Sequence, residues 1–254
     1  MPPNYELGRK LLKDPRYPRT AKYDPDWMVD LDMGCPTLWL LEGLCEEMAL
    51  EPGMRVLDLG CGKAAGSIFL AKEFGVQVWA ADLWTPPTEN WQRIREAGLE
   101  DQVFPIRAEA HELPFASEFF DVLIAVNSLQ YFATAEMYLG DYLTRLVKPG
   151  GQFGAVLPGF YREIADDFPA NLPDHLKAYW DVGTLRAWHT AAWWRNHWLK
   201  TNQVDILLAD NYPDGEGYQT YLRWEQIIEY DRKVAGDDAG RTITFVRLVA
   251  RKKT

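Results

Sequence analysis

A strand, a glycine turn and a helix follow one another within residues 55–66, and this order constrains the fold more than any other feature. Val56-Leu57 is an apolar pair closed by Asp58, and Gly60 and Gly62 come directly afterwards. An apolar run followed by glycines and an alanine-rich stretch is typical of a buried strand that turns into a helix. Glycine lets the backbone adopt positive φ, so a ligand can approach its N–H groups closely. The pattern therefore predicts a ligand-binding turn, although other strand-to-helix turns also contain glycines.

Strand-like and helix-like segments alternate beyond this turn. Further strands are predicted at 76–81, 103–108, 121–126, 152–157, 204–209 and 242–249. Helices are predicted at 36–48, up to a stop at Gly75, at 89–97, 138–146, after an N-cap at Thr190, and at 221–234. This alternation predicts an α/β fold with a doubly wound, Rossmann-like sheet and helices on both faces. Ligands of such sheets bind beyond the carboxyl ends of the strands, where Asp58, Asp82 and Asn127 are expected to gather.

Charge and hydropathy limit the partners. The 254 residues carry a formal net charge of -10, which argues against nucleic acid or an anionic membrane surface as the main partner. We find no apolar stretch long enough to span a bilayer and no signal peptide in the first residues, and we expect a cytoplasmic protein. Cys35, Cys45 and Cys61 lack metal-ligand spacing, and no metal site is expected.

Five motifs occur in an order that resembles the class I S-adenosylmethionine-dependent methyltransferases, specifically their small-molecule branch. They are Val56-Leu57-Asp58-Leu59-Gly60-Cys61-Gly62, Ala81-Asp82, Glu109-Ala110-His111-Glu112-Leu113-Pro114-Phe115, Phe120-Asp121-Val122 and Lys148-Pro149-Gly150-Gly151. The resemblance implies a seven-stranded, mostly parallel sheet with an antiparallel last strand. It also implies S-adenosyl-L-methionine as the cofactor and a small-molecule acceptor, with N- or O-methylation favoured.

The resemblance assigns cofactor contacts to individual positions. Asp58 and the backbone of Gly60, Cys61 and Gly62 would meet the amino-acid part of the cofactor. Asp82 would accept hydrogen bonds from the ribose hydroxyls. The remaining contacts would be Leu83, with Trp84, against adenine, Glu109 and Ala110 at the adenine edge, and Val126 and Asn127 beside the transferable methyl group.

One position departs from the family's pattern, Asp-x-Gly-x-Gly-x-Gly. Ala64 occupies the last glycine position. An added methyl group is tolerated there if φ is negative, so we treat the departure as minor.

Two other functions remain open from the sequence. The glycine spacing also fits the looser dinucleotide fingerprint of an NAD(P)-dependent oxidoreductase. Against it, Asp58 would oppose a pyrophosphate, whereas a carboxylate suits a cofactor that carries an ammonium group. A non-catalytic S-adenosylmethionine-binding protein is the second alternative.

Candidate catalytic residues follow the fourth strand. Asn127 and Tyr131 are better suited to orientation than to deprotonation, because an amide is neutral and a phenol titrates too high. We therefore expect proximity and desolvation to govern the reaction, unless His189 or Glu163 supplies a base.

Substrate choice is expected to lie outside the motifs. Residues 1–35 are predicted to form an N-terminal lid with Tyr23 against the cofactor, ahead of a methyltransferase domain at 36–254. An aromatic-rich cap is predicted at about 158–190, containing Phe160, Tyr161, Phe168, Tyr179, Trp180 and Trp188. A homo-oligomer is compatible with the sequence.

Overall fold

Seven strands form one sheet in the computed structural model, which describes residues 3–31, 33–164, 168–178, 182–212, 215–228 and 234–254. The strands are β1 (Arg55–Leu59), β2 (Gln77–Asp82), β3 (Val103–Arg107), β4 (Phe120–Val126), β5 (Val147–Phe160), β6 (Val204–Asn211) and β7 (Ile243–Lys252). Their order in the sheet is β3-β2-β1-β4-β5-β7-β6. The first five strands are mutually parallel, and β7 runs antiparallel to both β5 and β6. The predicted fold class is confirmed.

The helices of the described residues surround this sheet. They are α1 (Tyr5–Leu11), α2 (Pro25–Asp30), α3 (Thr37–Cys45), α4 (Ala65–Phe74), α5 (Pro87–Glu96), α6 (Thr144–Leu146), α7 (Asp174–Lys177), α8 (Val182–Leu185), α9 (Ala191–Leu199), α10 (Glu216–Ile228) and α11 (Val234–Asp238). Two predicted boundaries are confirmed. Gly75 ends α4 with φ of 66°, and the Thr190 hydroxyl oxygen accepts a hydrogen bond from the Trp193 N–H at the start of α9.

Three segments differ from the prediction. β5 begins earlier than expected, where Val147 pairs with Phe120 of β4, and ends later, because it pairs with β7 as far as Phe160. The helix predicted at 138–146 is a π-helix at Tyr138–Leu143 followed by the short α6. α10 begins five residues before its predicted start, and residues 229–233 of its predicted end lie outside the described residues.

Both faces of the sheet are covered, as the alternation along β1 illustrates. Val56 packs with residues of α3 and α4 on one face, whereas Leu57 packs on the other face with residues of α9. Successive side chains of a strand point to opposite faces, so one apolar strand contributes to two cores. A third, smaller cluster joins the 158–190 segment to β5 and β7 through Phe160, Leu185 and Ile243.

The N-terminal segment packs against α10. The Asn4 N–H donates to the Ile227 carbonyl over 2.6 Å, and Gly8 of α1 lies against Ile227 and Val29. Beyond α2 the chain continues to Met33, which lies at the carboxyl edge of the sheet. No described helix combines the length and the apolar character needed to cross a membrane.

Candidate functional site

A cavity of about 290 Å³ opens at the carboxyl edge of the parallel strands. It brings together most of the residues predicted from the sequence. Those that line it are Asp58, Gly60, Cys61, Gly62, Asp82, Leu83, Glu109, Ala110, Val126, Asn127 and Tyr131, together with Trp84. They lie at or after the carboxyl ends of β1, β2, β3 and β4, and parallel pairing places these ends along one edge of the sheet.

The turn after β1 needs its first glycine for two reasons. Gly60 has φ of 80°, and a Cβ added there would lie 2.4 Å from the Ser128 Cβ. The N–H groups of Gly60 and Cys61 both donate to the Ala81 carbonyl, over 2.8 and 3.1 Å. The turn is therefore held against the ends of β2 and β4, with no room for a side chain at residue 60.

Ala64 does not meet the condition under which its departure from the family's pattern would be minor. Its φ is 63° rather than negative, and it caps the N-terminus of α4 in the left-handed conformation. The methyl group is fully buried. Left-handed backbone is unfavourable for a residue with a Cβ, and the surrounding turn imposes it here.

Asp58 is a buried carboxylate at the end of β1. Only 5% of the residue is exposed, and its Oδ2 accepts a hydrogen bond of 2.6 Å from the Ser67 hydroxyl. Burial, and to a smaller extent the charge of Asp82, raises the pKa of Asp58 to about 6 despite the Ser67 hydrogen bond. The Asp58 carboxylate would gain stability from a cation in this cavity.

Asp82 holds the turn and the end of β2 together. Its Oδ2 accepts from the Gly62 N–H over 2.9 Å, and its Oδ1 accepts from the Trp84 and Thr85 N–H groups, each over 2.8 Å. A carboxylate has about four acceptor positions, so this side chain retains acceptor capacity for a ligand hydroxyl.

Glu109 and Ala110 form another border of the cavity, after β3. Glu109 accepts from the His111 N–H over 2.7 Å, and its Oε1 lies 2.9 Å from the His111 Nδ1. The hydrogen bond with the His111 side chain lowers the pKa of Glu109 and keeps it ionised. The Ala110 carbonyl accepts from the Tyr138 hydroxyl over 2.6 Å, which anchors this border to the core.

Asn127 and Tyr131 mark the end of β4. Asn127 has φ of 53°, and its Oδ1 accepts from the Gln130 Nε2 over 2.9 Å. Tyr131 is 58% exposed, and its ring centroid lies 5.9 Å from that of Trp84, which is 70% exposed. Both aromatic rings border the mouth of the cavity.

A second cavity, of about 220 Å³, adjoins the first. The two share Met33, Asn127 and Tyr131 as walls. The second continues between β5, β7, α8 and α10, where Glu225 lines it. The end of β4 thus separates two adjacent spaces.

The structure does not bring Tyr23 or His189 to the first cavity. The Tyr23 ring packs on Trp27 and Phe69 in a separate hollow, and its hydroxyl donates to Glu73 over 3.4 Å. These contacts lie outside the cofactor position expected for Tyr23. Met33, rather than Tyr23, carries the N-terminal segment to the cavity.

His189 lines a third hollow, of about 510 Å³, which Tyr131 also borders. Its Nδ1 lies 3.0 Å from the Glu163 Oε1, and its ring stacks on Trp193 at 3.6 Å. Burial alone would raise the pKa of Glu163, but hydrogen bonds from His189 and Thr190 outweigh it and hold the pKa at about 2. Two aromatic residues of the predicted cap, Tyr179 and Trp180, lie outside the described residues.

Sequence reasoning missed three residues that shape the site. Asn90 donates to the Gly62 carbonyl over 2.9 Å, and Ser128 donates to the Leu59 carbonyl over 2.6 Å. Ser128 stands next to Asn127 at a predicted strand end, which was a usable signal. Asn90 and Glu225 lie on helices and reach the site through tertiary packing. In the described residues, no three His, Cys, Asp or Glu side chains cluster as a metal site would require.

Comparison with known proteins agrees with this geometry. Residues 56–151 match the family described as "Methyltransferase domain". Methyltransferase GfsG of Streptomyces halstedii is 32% identical over 129 residues, which is 50% of this chain and 46% of the relative. Sarcosine/dimethylglycine N-methyltransferase of Aphanothece halophytica is 30% identical over 152 residues, 49% of this chain and 54% of the relative. The chain thus spans about half the length of each of these two curated relatives.

A solved structure supports the fold over a longer stretch. Phosphoethanolamine N-methyltransferase 2 of Haemonchus contortus, in complex with S-adenosyl-L-methionine, has a TM-score of 0.69 and 18% identity, and the match covers 97% of this chain and 60% of that one. The family match spans β1 to β5, which are neighbours in the sheet order. It also includes the strand-end carboxylates that line the first cavity. Residues 56–151 of this chain match a methyltransferase domain, and the sheet and the strand-end carboxylates around them agree with the class I S-adenosylmethionine-dependent methyltransferases.

Proposed function

We propose that this protein transfers a methyl group from S-adenosyl-L-methionine to a nitrogen or oxygen atom of a small molecule. The observation that supports this most directly is the pair of adjoining cavities that share Met33, Asn127 and Tyr131. A transferase needs separate spaces for donor and acceptor that meet where the group moves. The end of β4 is such a meeting point.

The residues of the first cavity fit the cofactor. When bound, S-adenosyl-L-methionine supplies a methyl carbon activated by the sulfonium charge. Asp58 would bind the ammonium of its amino-acid part, and the turn at Gly60, Cys61 and Gly62 would border that part, because the missing Cβ of Gly60 lets the turn close against Ser128. Asp82 would accept from the ribose hydroxyls, since acceptor capacity remains on its carboxylate.

The remaining contacts of the first cavity are proposed in the same way. Leu83 and Ala110 border the space expected for adenine, and Glu109 is ionised and able to accept from an amino group. Val126 and Asn127 border the space expected for the methyl group. We also propose that Met33 is the part of the N-terminal lid that covers this cavity.

The proposed catalytic residues differ in what they do. Asn127 is held by Gln130, Tyr131 borders all three hollows, and both would orient the acceptor, Tyr131 through its hydroxyl. His189 would accept a proton only from an acceptor that extends past Tyr131, with Glu163 positioning its ring. Positioning alone supplies a large part of the rate in well-oriented reactions.

The alternative functions are less compatible with the site. A dinucleotide would bring its pyrophosphate to the turn after β1, where the buried Asp58 carboxylate would repel it. A cofactor-binding protein without catalysis would have no use for the second cavity beside the methyl position.

Replacing Gly60 with alanine is expected to abolish cofactor binding. G60A adds a Cβ 2.4 Å from the Ser128 Cβ, in addition to the strain of positive φ. The matched control is G53A, because Gly53 has φ of 82° but nothing within 4 Å of an added Cβ. Calorimetric titration with S-adenosylhomocysteine should show binding by G53A and none by G60A. Equal affinities would contradict the assigned role of the turn.

Asp58→Asn is expected to stabilise the fold and weaken cofactor binding. The folded-state pKa of about 6 exceeds the ordinary value of 3.8, so the free energy of unfolding falls as pH rises from about 4 to 6. Asparagine removes the buried charge and still accepts from Ser67, so the free energy of unfolding above about pH 7 should rise by about 1 to 3 kcal/mol. Affinity for S-adenosylhomocysteine should fall about 10- to 100-fold with the lost charge.

The pH dependence of cofactor binding gives a second readout on the same residue. As pH falls from 7 to 5, Asp58 takes up a proton, and wild-type affinity for S-adenosylhomocysteine should fall by up to about tenfold. The D58N protein should lose this dependence. A destabilised D58N protein that binds the cofactor normally would contradict the assignment.

Methyl transfer itself tests the proposed function. The protein, incubated with methyl-labelled S-adenosyl-L-methionine and a metabolite extract, should label a small molecule at nitrogen or oxygen. Against that acceptor, Asn127→Ala and Tyr131→Phe should lower kcat/KM by about 10- to 100-fold through loss of orientation. Thermal melting and S-adenosylhomocysteine binding serve as controls for folding and the cofactor site. Cofactor binding without labelling of any acceptor would support the non-catalytic alternative, and unchanged turnover in both variants would remove Asn127 and Tyr131 from the mechanism.

A further inference from the structure

The second cavity has an unusual lining for a neutral or anionic acceptor. Four aromatic side chains border it, namely Tyr131, Trp188, Tyr221 and Phe245. Among the described lining residues, Glu225 is the acidic one, and none is Lys, Arg or His. Ring faces and carboxylates both attract cations, so the lining as a whole favours a positively charged group.

Glu225 is held in the interior and not on the protein surface. The residue is 9% exposed, and both of its carboxylate oxygens accept from the Ala235 N–H, over 3.3 and 3.1 Å. Burial, and to a smaller extent the charge of Asp237, raises the pKa of Glu225 to about 7, although the N–H groups of Ala235, Val234 and Gly236 favour the ionised form. A buried carboxylate with this environment gains stability when a cation binds beside it.

Three classes of acceptor make different demands on this cavity. An anionic acceptor would meet Glu225 and the negative faces of the aromatic rings. A neutral alcohol would leave the buried carboxylate without a compensating charge, which is costly. A protonated amine would satisfy both the carboxylate and the rings.

We propose that the acceptor is a small amine that binds this cavity as an ammonium ion beside Glu225, and that Glu225 removes its proton. This inference rests on the proposed methyltransferase function and names the acceptor class for the same site. Met33, Asn127 and Tyr131 connect the amine space to the cofactor space.

The proton step balances without any further reagent. One N–H bond of the ammonium breaks and an O–H bond forms on the Glu225 carboxylate. The nitrogen retains the electron pair and becomes the neutral nucleophile that methyl transfer requires, and Glu225 later returns the proton to water. In this step the Glu225 carboxylate contacts the reacting nitrogen and therefore acts as a general base.

Binding of matched probes to the protein saturated with S-adenosylhomocysteine tests the inference without turnover. The probes are 2-phenylethylamine, 2-phenylethanol and phenylacetate, which share a ring and differ in charge. The wild-type protein should bind the amine at least about tenfold more tightly than either other probe. Glu225→Gln should remove this preference, because the amide keeps the shape and an acceptor for Ala235 but lacks the charge.

A surface variant and a charge-preserving variant complete the experiment. Glu100→Gln makes the same change in net charge at an exposed position and should keep the wild-type preference. Glu225→Asp should keep part of it, and thermal melting reports whether each variant folds. An equal or greater affinity for the alcohol or the anion, no binding of the amine, or an unchanged preference in Glu225→Gln would overturn the inference. Failure of S-adenosylhomocysteine to bind would instead overturn the proposed function.

Discussion

The site depends on a carboxylate that the fold keeps away from water. Asp58 ends a strand whose neighbours on both sides are parallel, so it is enclosed by β2, β4 and the start of α4. Its one hydrogen bond from another side chain in the described structure comes from Ser67, which does not neutralise its charge. Asp82 adds a second carboxylate to the same cavity and ties the glycine turn to β2. The cavity is therefore prepared for a cationic ligand before one arrives, at the expense of stability.

The acceptor space repeats this arrangement on a different part of the chain. Glu225 lies on α10, beyond all of the cofactor motifs in the sequence, and its carboxylate is also buried and bordered by aromatic rings. Both spaces meet at Asn127 and Tyr131. A fold of this kind can change its acceptor by changing α10 and the 158–190 segment, while the strand ends continue to hold the cofactor.

The sequence predicted the features that local patterns determine. The carboxyl ends of β2, β3 and β4, the glycine turn and the Thr190 cap depend on a few adjacent residues, and the structure places them at or next to the predicted positions. The positive φ of Ala64 was not predicted, because closure of the turn imposes a conformation that an alanine does not signal.

Contacts between distant segments were not predictable in the same way. Tyr23 packs on Phe69 and reaches Glu73, which no local pattern indicates. Glu225 sits between Trp224 and Ile227 in an apolar helix stripe, so its position in a cavity depends on how α10 meets β7 and α8. The domain boundaries, a cytoplasmic location and a homo-oligomer stay predictions of the sequence.

The central claim is that buried strand-end carboxylates select a cationic cofactor over a dinucleotide. Isothermal titration of the wild-type protein with S-adenosyl-L-methionine and with NADH, under identical conditions near neutral pH, tests it most directly. We expect stoichiometric binding of S-adenosyl-L-methionine and no detectable heat from NADH. Tight binding of NADH, or failure of S-adenosyl-L-methionine to bind, would contradict it.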